Sequence, residues 1–340
     1  MRGAGIFGLA CAWEMQRRGA KIRVIDTKGV FSGCSGGIVG ALAPHVPERW
    51  NPKKQFQFEA LIRAESFWAD IAAASGMETG YARTGRLQPI LDEEGLTRAR
   101  ERGEEAKTLW QGKADWNVVR AEEFGDWAPA SPSGWLIHET LSARLHPRQA
   151  GSALAAAFEA AGGEILIGEA ENEGRTLWAT GAAGLADLSE DLGKKVGAPI
   201  KGQAALLKLD NPDAPQYLAE STHGIPHYDG TLAIGSTTER EYDDPFSIDA
   251  QIDEVVARAK LACPALADAP VIDRWAGLRP RSRTRAPMLG PWPGREGQFV
   301  ANGGFKIGFG ISAMVAKTMA DLILDGGDQI PERFRVEDNL

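Results

Sequence analysis

The spacing of apolar residues along the chain alternates between the repeat of an α-helix and that of a β-strand. At the start, helical spacing follows Gly8, Gly19 ends the helix, and a short apolar strand leads to Asp26. Further helices are predicted over residues 52–75, 93–111, 147–161, 249–262 and 311–324. Strands are predicted over residues 85–91, 164–167, 176–180, 203–209, 216–219, 231–235 and 299–301. This alternation predicts an α/β fold with a second sheet in its middle section.

Two stretches depart from the alternation. Residues 80–135 combine one strand with a helix in which Lys, Arg and Glu alternate. That charge pattern is typical of a solvated face, so the stretch is predicted to be an insertion without a site. Residues 275–280, WAGLRP, place glycine and proline close together and predict a turn.

The first glycines of the chain form a GxGxxG pattern at Gly3, Gly5 and Gly8. The pattern alone is weak, but here it opens a helix and is followed by a strand that ends in an acid. The helix N-terminus would then bind a pyrophosphate, and Asp26 would bind ribose hydroxyls. Only Met1 and Arg2 precede Gly3, so the first strand of the unit is either truncated or partly outside the sequence.

Three later stretches have the composition of a cofactor cradle. Residues 302–310, NGGFKIGFG, again lead glycines into a helix and predict a second contact to one anionic ligand. Residues 179–182, ATGA, follow a strand and either face the cofactor or form a structural turn. Residues 27–42 are small and glycine-rich, and they either press against a flat ligand or form a flexible connector.

Composition narrows the class of protein. The formal net charge of -8 and the isoelectric point near 5.3 argue against a nucleic-acid-binding surface. Cys11, Cys34 and Cys263 are too few and too scattered for a disulfide framework or a zinc site, so no metal ligands are predicted, and a reducing cytoplasm fits best. No apolar run reaches bilayer-spanning length and the chain opens on the nucleotide motif, so neither a membrane span nor export is expected.

Eight motifs, in order, carry a resemblance to a known family: GAGIFGLACAWE, SGCSGGIVGAL, LHPRQ, ATGA, PIKGQ, DGTLAIGSTTE, WAGLRPRS and NGGFKIGFGIS. Over nearly its whole length the chain resembles the FAD-dependent amino-acid oxidases and dehydrogenases grouped with D-amino-acid oxidase. Its pattern fits the glycine oxidase and sarcosine oxidase branch best. The resemblance implies a discontinuous Rossmann-type FAD-binding domain at residues 1–80, 140–200 and 270–340. It also implies an α+β substrate domain with a mainly antiparallel sheet at residues 81–139 and 201–269.

The resemblance assigns cofactor contacts residue by residue. The pyrophosphate turn is matched by Gly3, Gly5, Ile6, Phe7 and Gly8, and the ribose-binding acid by Asp26, with Thr27 as its neighbour. The loop along the flavin ring is matched by Cys34, Ser35, Gly40, Ala41 and Leu42, and the small-residue turn by Ala179, Thr180 and Gly181. The C-terminal flavin loop is matched by Gly303, Gly304, Phe305, Lys306, Ile307 and Gly308. No cysteine lies near that loop, so the FAD is expected to be non-covalent.

Two cations are candidate contacts to the substrate or the flavin. Arg279 matches the arginine that grips the substrate carboxylate in amino-acid-oxidising relatives, a task that suits a guanidinium because it can form two parallel charge-assisted bonds. The alternative is an arginine that caps a turn or pairs with an acid. Lys306 lies where glycine oxidase-like proteins tend to have arginine. It either stabilises the reduced flavin or contacts the carboxylate, unless it is a solvated surface lysine.

His223 and His227 lie in the stretch where relatives often show a substrate-facing tyrosine and a Pro-Arg pair. Both are candidate catalytic residues, and the alternative is that they are structural or exposed. The departure from the family pattern leaves open whether the substrate is glycine, sarcosine or a bulkier or differently charged amine.

The predicted function is oxidation of the C–N bond of a small amino acid or secondary amine, such as glycine, sarcosine or a D-amino acid. Hydride passes to FAD, and dioxygen or another acceptor takes up the electrons. One alternative is a flavin-dependent tRNA-modifying oxidoreductase on the same scaffold, marked by a basic stripe at Arg274, Arg279, Arg281, Arg283 and Arg285. The other is a non-catalytic FAD-binding protein.

Overall fold

The computed structural model describes residues 1–340 and contains seven α-helices and fifteen strands. The helices are α1 (Ile6–Arg17), α2 (Pro52–Ser75), α3 (Glu93–Leu109), α4 (Pro147–Ala160), α5 (Gly181–Asp191), α6 (Ala250–Ala262) and α7 (Gly308–Ala320). The strands of the first half are β1 (Arg23–Asp26), β2 (Ala41–Leu42), β3 (Arg86–Pro89), β4 (Trp116–Arg120), β5 (Trp135–Glu139), β6 (Ala143–Arg144) and β7 (Glu164–Ile167). Those of the second half are β8 (Thr176–Trp178), β9 (Gly197–Lys208), β10 (Gln216–Ala219), β11 (Thr222–Pro226), β12 (Thr231–Gly235), β13 (Val271–Ser282), β14 (Met288–Pro291) and β15 (Gln298–Asn302).

The first sheet is assembled around the start of the chain. β1 pairs in parallel with β7, and β8 pairs in parallel with β15, which is antiparallel to β14. Residues 1–3 lie between these groups: the Arg2 N–H donates to Leu177 O at 2.8 Å, and the Gly3 N–H donates to Ile25 O at 2.9 Å. The residues before the GxGxxG turn therefore take the place of its first strand, although they are few.

Helices cover this sheet and form the largest core. α1 packs against α7, α2 packs against α7 and α4, and their apolar faces share one buried cluster that includes Leu9, Trp13, Leu61, Trp68 and Val315. A mixed sheet with packed helices confirms the predicted α/β fold. None of the helices combines the length and the apolar character that crossing a lipid bilayer requires.

The second sheet has eight strands in the order β13-β9-β12-β11-β10-β3-β5-β4. All neighbours are antiparallel except β10 and β3. α6 covers one face with Ile252, Val255 and Ala259, as the sequence predicts. Residues 80–135, predicted as an insertion, supply β3 and β4 to this sheet. The sheet also includes β13, which lies within the segment 270–340 assigned above to the FAD-binding domain.

The predicted turn at residues 275–280 is wrong, because these residues lie inside β13 and pair with β9. Its glycine and proline have other tasks. A Cβ on Gly277 would lie 2.4 Å from the Trp275 ring, so glycine makes room for the indole. Pro280 lies opposite Pro199, and its carbonyl accepts from the Phe305 N–H at 3.0 Å. Close packing, not chain reversal, therefore explains the motif.

Candidate functional site

Three of the predicted cofactor motifs meet at the N-terminus of α1. Gly3 has a φ of +98°, and a Cβ there would lie 2.4 Å from Ala179 O. A Cβ on Gly8 would lie 1.9 Å from Gly3 O, and one on Gly5 would lie 3.2 Å from Ser35 Oγ. Glycine is therefore required where the first turn approaches the ATGA segment and where α1 closes on its own turn.

The C-terminal glycine loop packs against the same turn. A Cβ on Gly304 would lie 2.8 Å from the Phe7 ring, and one on Gly308 would lie 3.7 Å from the Ile6 side chain. Neither α1 nor α7 has an acid in its first turn, and neither has a side-chain cap from its N-cap residue. Two positive helix ends thus approach each other, which suits one extended anionic ligand.

Asp26 organises the turn that follows β1. Its Oδ2 accepts from the Ala4 N–H at 2.8 Å, and its Oδ1 accepts from the backbone N–H groups of Lys28 and Gly29 at 2.8 and 3.1 Å. Thr27 beside it is exposed. A carboxylate has more lone pairs than these three bonds use, so the predicted ribose contact remains compatible with this geometry.

Backbone contacts and hydrogen bonds hold the other residues of the predicted cofactor loops in place. Gly40 passes so close to Leu145 that a Cβ would lie 1.8 Å from its carbonyl oxygen, and Ala41 and Leu42 form β2 against β6. Thr180 is the N-cap of α5, and the Gly181 carbonyl accepts from Asn302 Nδ2 at 2.9 Å. Asn302 also accepts from the Gly303 N–H at 2.7 Å, so this residue, which the sequence reasoning missed, joins two predicted cofactor loops.

Arg279 is buried in the middle of β13, with 9% of its surface exposed. Its Nη1 donates to Ser236 Oγ at 2.8 Å, and its Nη2 donates to Lys201 O at 3.2 Å and to Thr237 O at 2.6 Å. Its Nε has no partner, and its guanidinium carbon lies 5.5 Å from the centre of the Phe305 ring. Arg279 therefore neither caps a turn nor pairs with an acid, and it lies beside the C-terminal glycine loop.

The other buried cations show how this chain compensates charge. Arg86 faces Glu139 at 3.1 Å, and Lys201 faces Glu239 at 3.4 Å. Arg144 bonds to the carbonyls of Gly80 and Pro212. The sequence reasoning missed both ion pairs, because 53 and 38 positions separate their members (139 − 86 and 239 − 201). Arg279 is thus a buried cation without a carboxylate, in contact with a predicted cofactor loop.

Lys306 adds a second positive charge next to Arg279. It is exposed, has no acidic partner, and its Nζ lies 5.8 Å from the centre of the Phe305 ring. Partial loss of hydration, followed by repulsion from Arg279, lowers the pKa of Lys306. Burial raises the pKa of the Cys34 thiol to about 11 against an opposing effect of Arg279. The loop that carries Cys34 therefore faces the same cation.

The two candidate histidines lie in different surroundings. Burial, followed by the charges of Arg86 and Lys306, lowers the pKa of His223 to about 3, and its Nδ1 has no partner. Burial also lowers the pKa of His227 to about 3, but its ring lies 4.6 Å from that of His146, and its Nδ1 lies 3.1 Å from Thr231 Oγ1. His223 thus lies within the electrostatic reach of Lys306, whereas His227 belongs to a separate cluster.

The arginines named for the tRNA alternative do not form one exposed stripe. Arg279 is buried, Arg274 pairs with Asp253 at 2.7 Å, and Arg283 bonds to the carbonyl of Leu340. The ion pair of Arg274 and the burial of Arg279 thus reduce the exposed positive charge that binding to a nucleic-acid backbone would need.

Together, a parallel sheet, a GxGxxG turn at a helix N-terminus and a converging second glycine loop define a dinucleotide-binding protein. A family model described as FAD dependent oxidoreductase matches residues 3–322. The chain belongs to this family, and the predicted cofactor, FAD, is confirmed by that membership. The cradle fits such a group, because the glycines leave room at both helix ends and no acid stands in the first turn of either helix.

Curated relatives cover almost the whole chain. Glycine oxidase from Pseudomonas aeruginosa is 27% identical over 94% of this chain and 93% of its own length. The bifunctional protein ThiO/ThiG from Synechocystis is 25% identical over 95% of this chain, which corresponds to 51% of that protein. These similarities support the predicted glycine oxidase and sarcosine oxidase-like group.

Solved structures also match the fold over almost the whole chain. Iminodiacetate oxidase from Chelativorans superposes with a TM-score of 0.85 at 21% identity, covering 98% of this chain and 97% of that one. Glycine oxidase from Geobacillus kaustophilus superposes with a TM-score of 0.83 at 20% identity, covering 98% and 96%. The likeness confirms the fold. The match to the family model shows that the protein is an FAD-dependent oxidoreductase.

Proposed function

We propose that this enzyme oxidises the C–N bond of a small amino acid or secondary amine that carries a carboxylate. The relatives named glycine oxidase and the structural neighbour named iminodiacetate oxidase support this class, because each name describes an amine with at least one carboxylate. Glycine, sarcosine and small D-amino acids are the first candidates, and dioxygen or another acceptor completes the cycle.

The buried charge of Arg279, which no carboxylate contacts, carries the proposal. Leaving a guanidinium buried without a counter-ion is costly. Arg86 and Lys201 have acidic partners, whereas Arg144, like Arg279, bonds only to neutral groups; of these two, only Arg279 contacts a cofactor loop. Arg279 lies against Phe305, within the electrostatic reach of Lys306 and Cys34. An anionic ligand at this position would supply the missing countercharge.

FAD, when bound, supplies the acceptor for the hydride that leaves the carbon next to nitrogen. The residues of the chain then have three tasks. Arg279 fixes the carboxylate and so the rotation of the substrate. Lys306 contributes positive charge near the reacting groups. His223, whose pKa is lowered to about 3, is a neutral ring at pH 7 and adds no further charge.

Substitution of Arg279 tests the proposal directly. A hydrogen bond to a charged group is worth about 1.5–3 kcal/mol, so losing two of them in Arg279→Ala removes about 3–6 kcal/mol. This corresponds to a fall in kcat/KM of roughly 10²- to 10⁴-fold. Arg279→Lys should lose less activity than Arg279→Ala, because lysine keeps the positive charge, but it should not reach the parent value, because it lacks the planar guanidinium.

The matched control is Arg274→Ala on the same strand, because Arg274 is exposed and pairs with Asp253. Its kcat/KM should equal that of the parent enzyme. Equal kcat/KM values for Arg279→Ala and the parent, in proteins with the same flavin content, would refute the carboxylate-binding role.

A further inference from the structure

A cluster of three metal-ligating side chains lies apart from the flavin loops. His146 is the N-cap of α4, His227 follows β11, and Asp229 lies in the turn before β12. One ligand atom from each residue lies within 4.8 Å of the others. The sequence separates His146 from the other two by about eighty positions, so only the fold reveals the group.

Hydrogen bonding fixes which nitrogen of His227 carries its proton. The Asp229 carboxylate can only accept, so the Thr231 hydroxyl donates to Asp229 Oδ1 at 2.7 Å. The Thr231 oxygen then accepts from His227 Nδ1–H at 3.1 Å. The lone pair of His227 therefore lies on Nε2.

That lone pair has no partner in the protein. His227 has 0% of its surface exposed, and its Nε2 forms no hydrogen bond. Buried polar atoms nearly always have a hydrogen-bond partner. A buried nitrogen lone pair without one therefore calls for a hydrogen-bond donor or a metal ion. The His227 ring lies 4.6 Å from the His146 ring between centroids, and the Asp229 carboxylate lies 3.6 Å from His146 Nε2.

We propose that His146, His227 and Asp229 bind one divalent transition-metal ion of the zinc type. Two imidazoles and one carboxylate are a donor set that suits such an ion, with water in the fourth position. A metal-ligating histidine usually donates its other ring N–H to an outer partner, which is the bond that His227 makes to Thr231.

The geometry needs a small closure. Ligand atoms about 2 Å from zinc in a tetrahedron lie about 3.4 Å apart, so no pair needs to approach by more than about 1.4 Å. Asp229 is exposed, and the bond from Gln149 Nε2 to its Oδ2 is long at 3.4 Å. Binding of a metal through His146 Nε2 places the ring proton on Nδ1, so the equally long bond from the Gln149 N–H to His146 Nδ1, at 3.4 Å, would be given up. Arg144, the cation whose charge reaches His227, donates its hydrogen bonds to the carbonyls of Gly80 and Pro212.

A metal at this position would join the two layers of the fold. His146 begins a helix that packs on α1 and α2, whereas His227 and Asp229 belong to the eight-stranded sheet. The ion would thus clamp the start of α4 to the β11–β12 hairpin. Binding to the folded state alone would also raise the unfolding temperature when zinc is added.

Zinc titration of the FAD-loaded enzyme tests the site. After treatment with a chelator and its removal, calorimetry with zinc chloride should show about one ion per chain with a dissociation constant of about micromolar or below. Thr231→Val should weaken binding about 10- to 100-fold, because it removes the partner that orients His227. Thr231→Ser, which keeps the hydroxyl, should bind as the parent does.

Removing a ligand should have the larger effect. His146→Asn keeps a helix-capping side chain, and Asp229→Asn keeps the shape of the turn; each should weaken zinc binding at least about 100-fold. His138→Asn, outside the cluster, should leave it unchanged. Absence of stoichiometric binding, or equal affinity of the parent, His146→Asn and Asp229→Asn, would overturn the proposal. Neither readout depends on turnover, so the test is independent of the proposed amine substrate.

Discussion

The GxGxxG turn offers a quantitative test of the cofactor site through Gly8→Ala. The added Cβ would lie 1.9 Å from Gly3 O and 3.0 Å from the Gly3 carbonyl carbon, and both atoms belong to the backbone. The start of α1 must therefore move away from the turn that it closes. Because this contact is to backbone, a side-chain rotation cannot relieve it.

The expected cost follows from such overpacking. Forcing one extra methyl group into a closely packed site costs about 1–3 kcal/mol. If the cost falls on the bound state, FAD affinity decreases by about 5- to 150-fold. If the cost instead destabilises the folded apoprotein, its unfolding temperature decreases.

The assay is titration of the apoprotein with FAD, followed by quenching of flavin fluorescence, beside thermal unfolding by circular dichroism. Gly327→Ala is the matched control, since its Cβ would meet no atom closer than 3.6 Å and its φ is not positive. An FAD dissociation constant and an unfolding temperature both equal to those of the parent would refute the assignment of this turn.

Three further predictions follow from the charged groups. Glu139→Gln leaves Arg86 without its carboxylate and should destabilise the protein by about 3–5 kcal/mol in denaturant unfolding, whereas the exposed Glu94→Gln should change little; equal midpoints would contradict this. Because the pKa of Lys306 is lowered, Lys306 should lose its charge at a lower pH than an ordinary lysine, and KM for a carboxylate substrate should rise over that pH interval. Lys306→Arg should abolish the rise, and a pH profile of KM that is the same in both proteins would refute the role. Because the pKa of His223 is lowered to about 3, it stays neutral, and His223→Asn should not remove an inflection in kcat between pH 5 and pH 8.

Local signals explain why most helices could be predicted. α2 matches its predicted range of residues 52–75. Asn51 Oδ1 accepts from the Lys54 N–H at 3.1 Å, Pro52 occupies the first turn, and Gly76 ends the helix with a φ of +67°. These are properties of neighbouring residues, so they are legible in the sequence. The GxGxxG context was predictable for the same reason.

The errors arise where distant residues decide the structure. Residues 275–280 form a strand because they pair with β9, about eighty positions earlier, and the local sequence does not reveal that pairing. Gly202 shows the same effect, since its Cβ would lie 2.3 Å from the Arg279 guanidinium. A glycine can thus serve a side chain some eighty positions away while its own backbone is an ordinary strand.

The candidate site was predicted in its parts but not in its charge balance. The motifs identified Arg279 and the glycine loops, and the fold brings Arg279, Phe305 and Lys306 together. The sequence did not indicate that Arg86 and Lys201 have acidic partners whereas Arg279 has none, because pairing depends on which strands lie side by side. The separation of His223 from His227 has the same origin.

Anaerobic titration of the yellow protein tests the central claim most directly. Glycine, sarcosine, proline and a panel of small D-amino acids would be added in turn while the visible flavin bands are recorded. Bleaching of the bands by at least one of these amines, and its loss or severe slowing in Arg279→Ala, is the expected result. A fully loaded flavoprotein whose bands none of them bleaches would contradict the proposed amine oxidation.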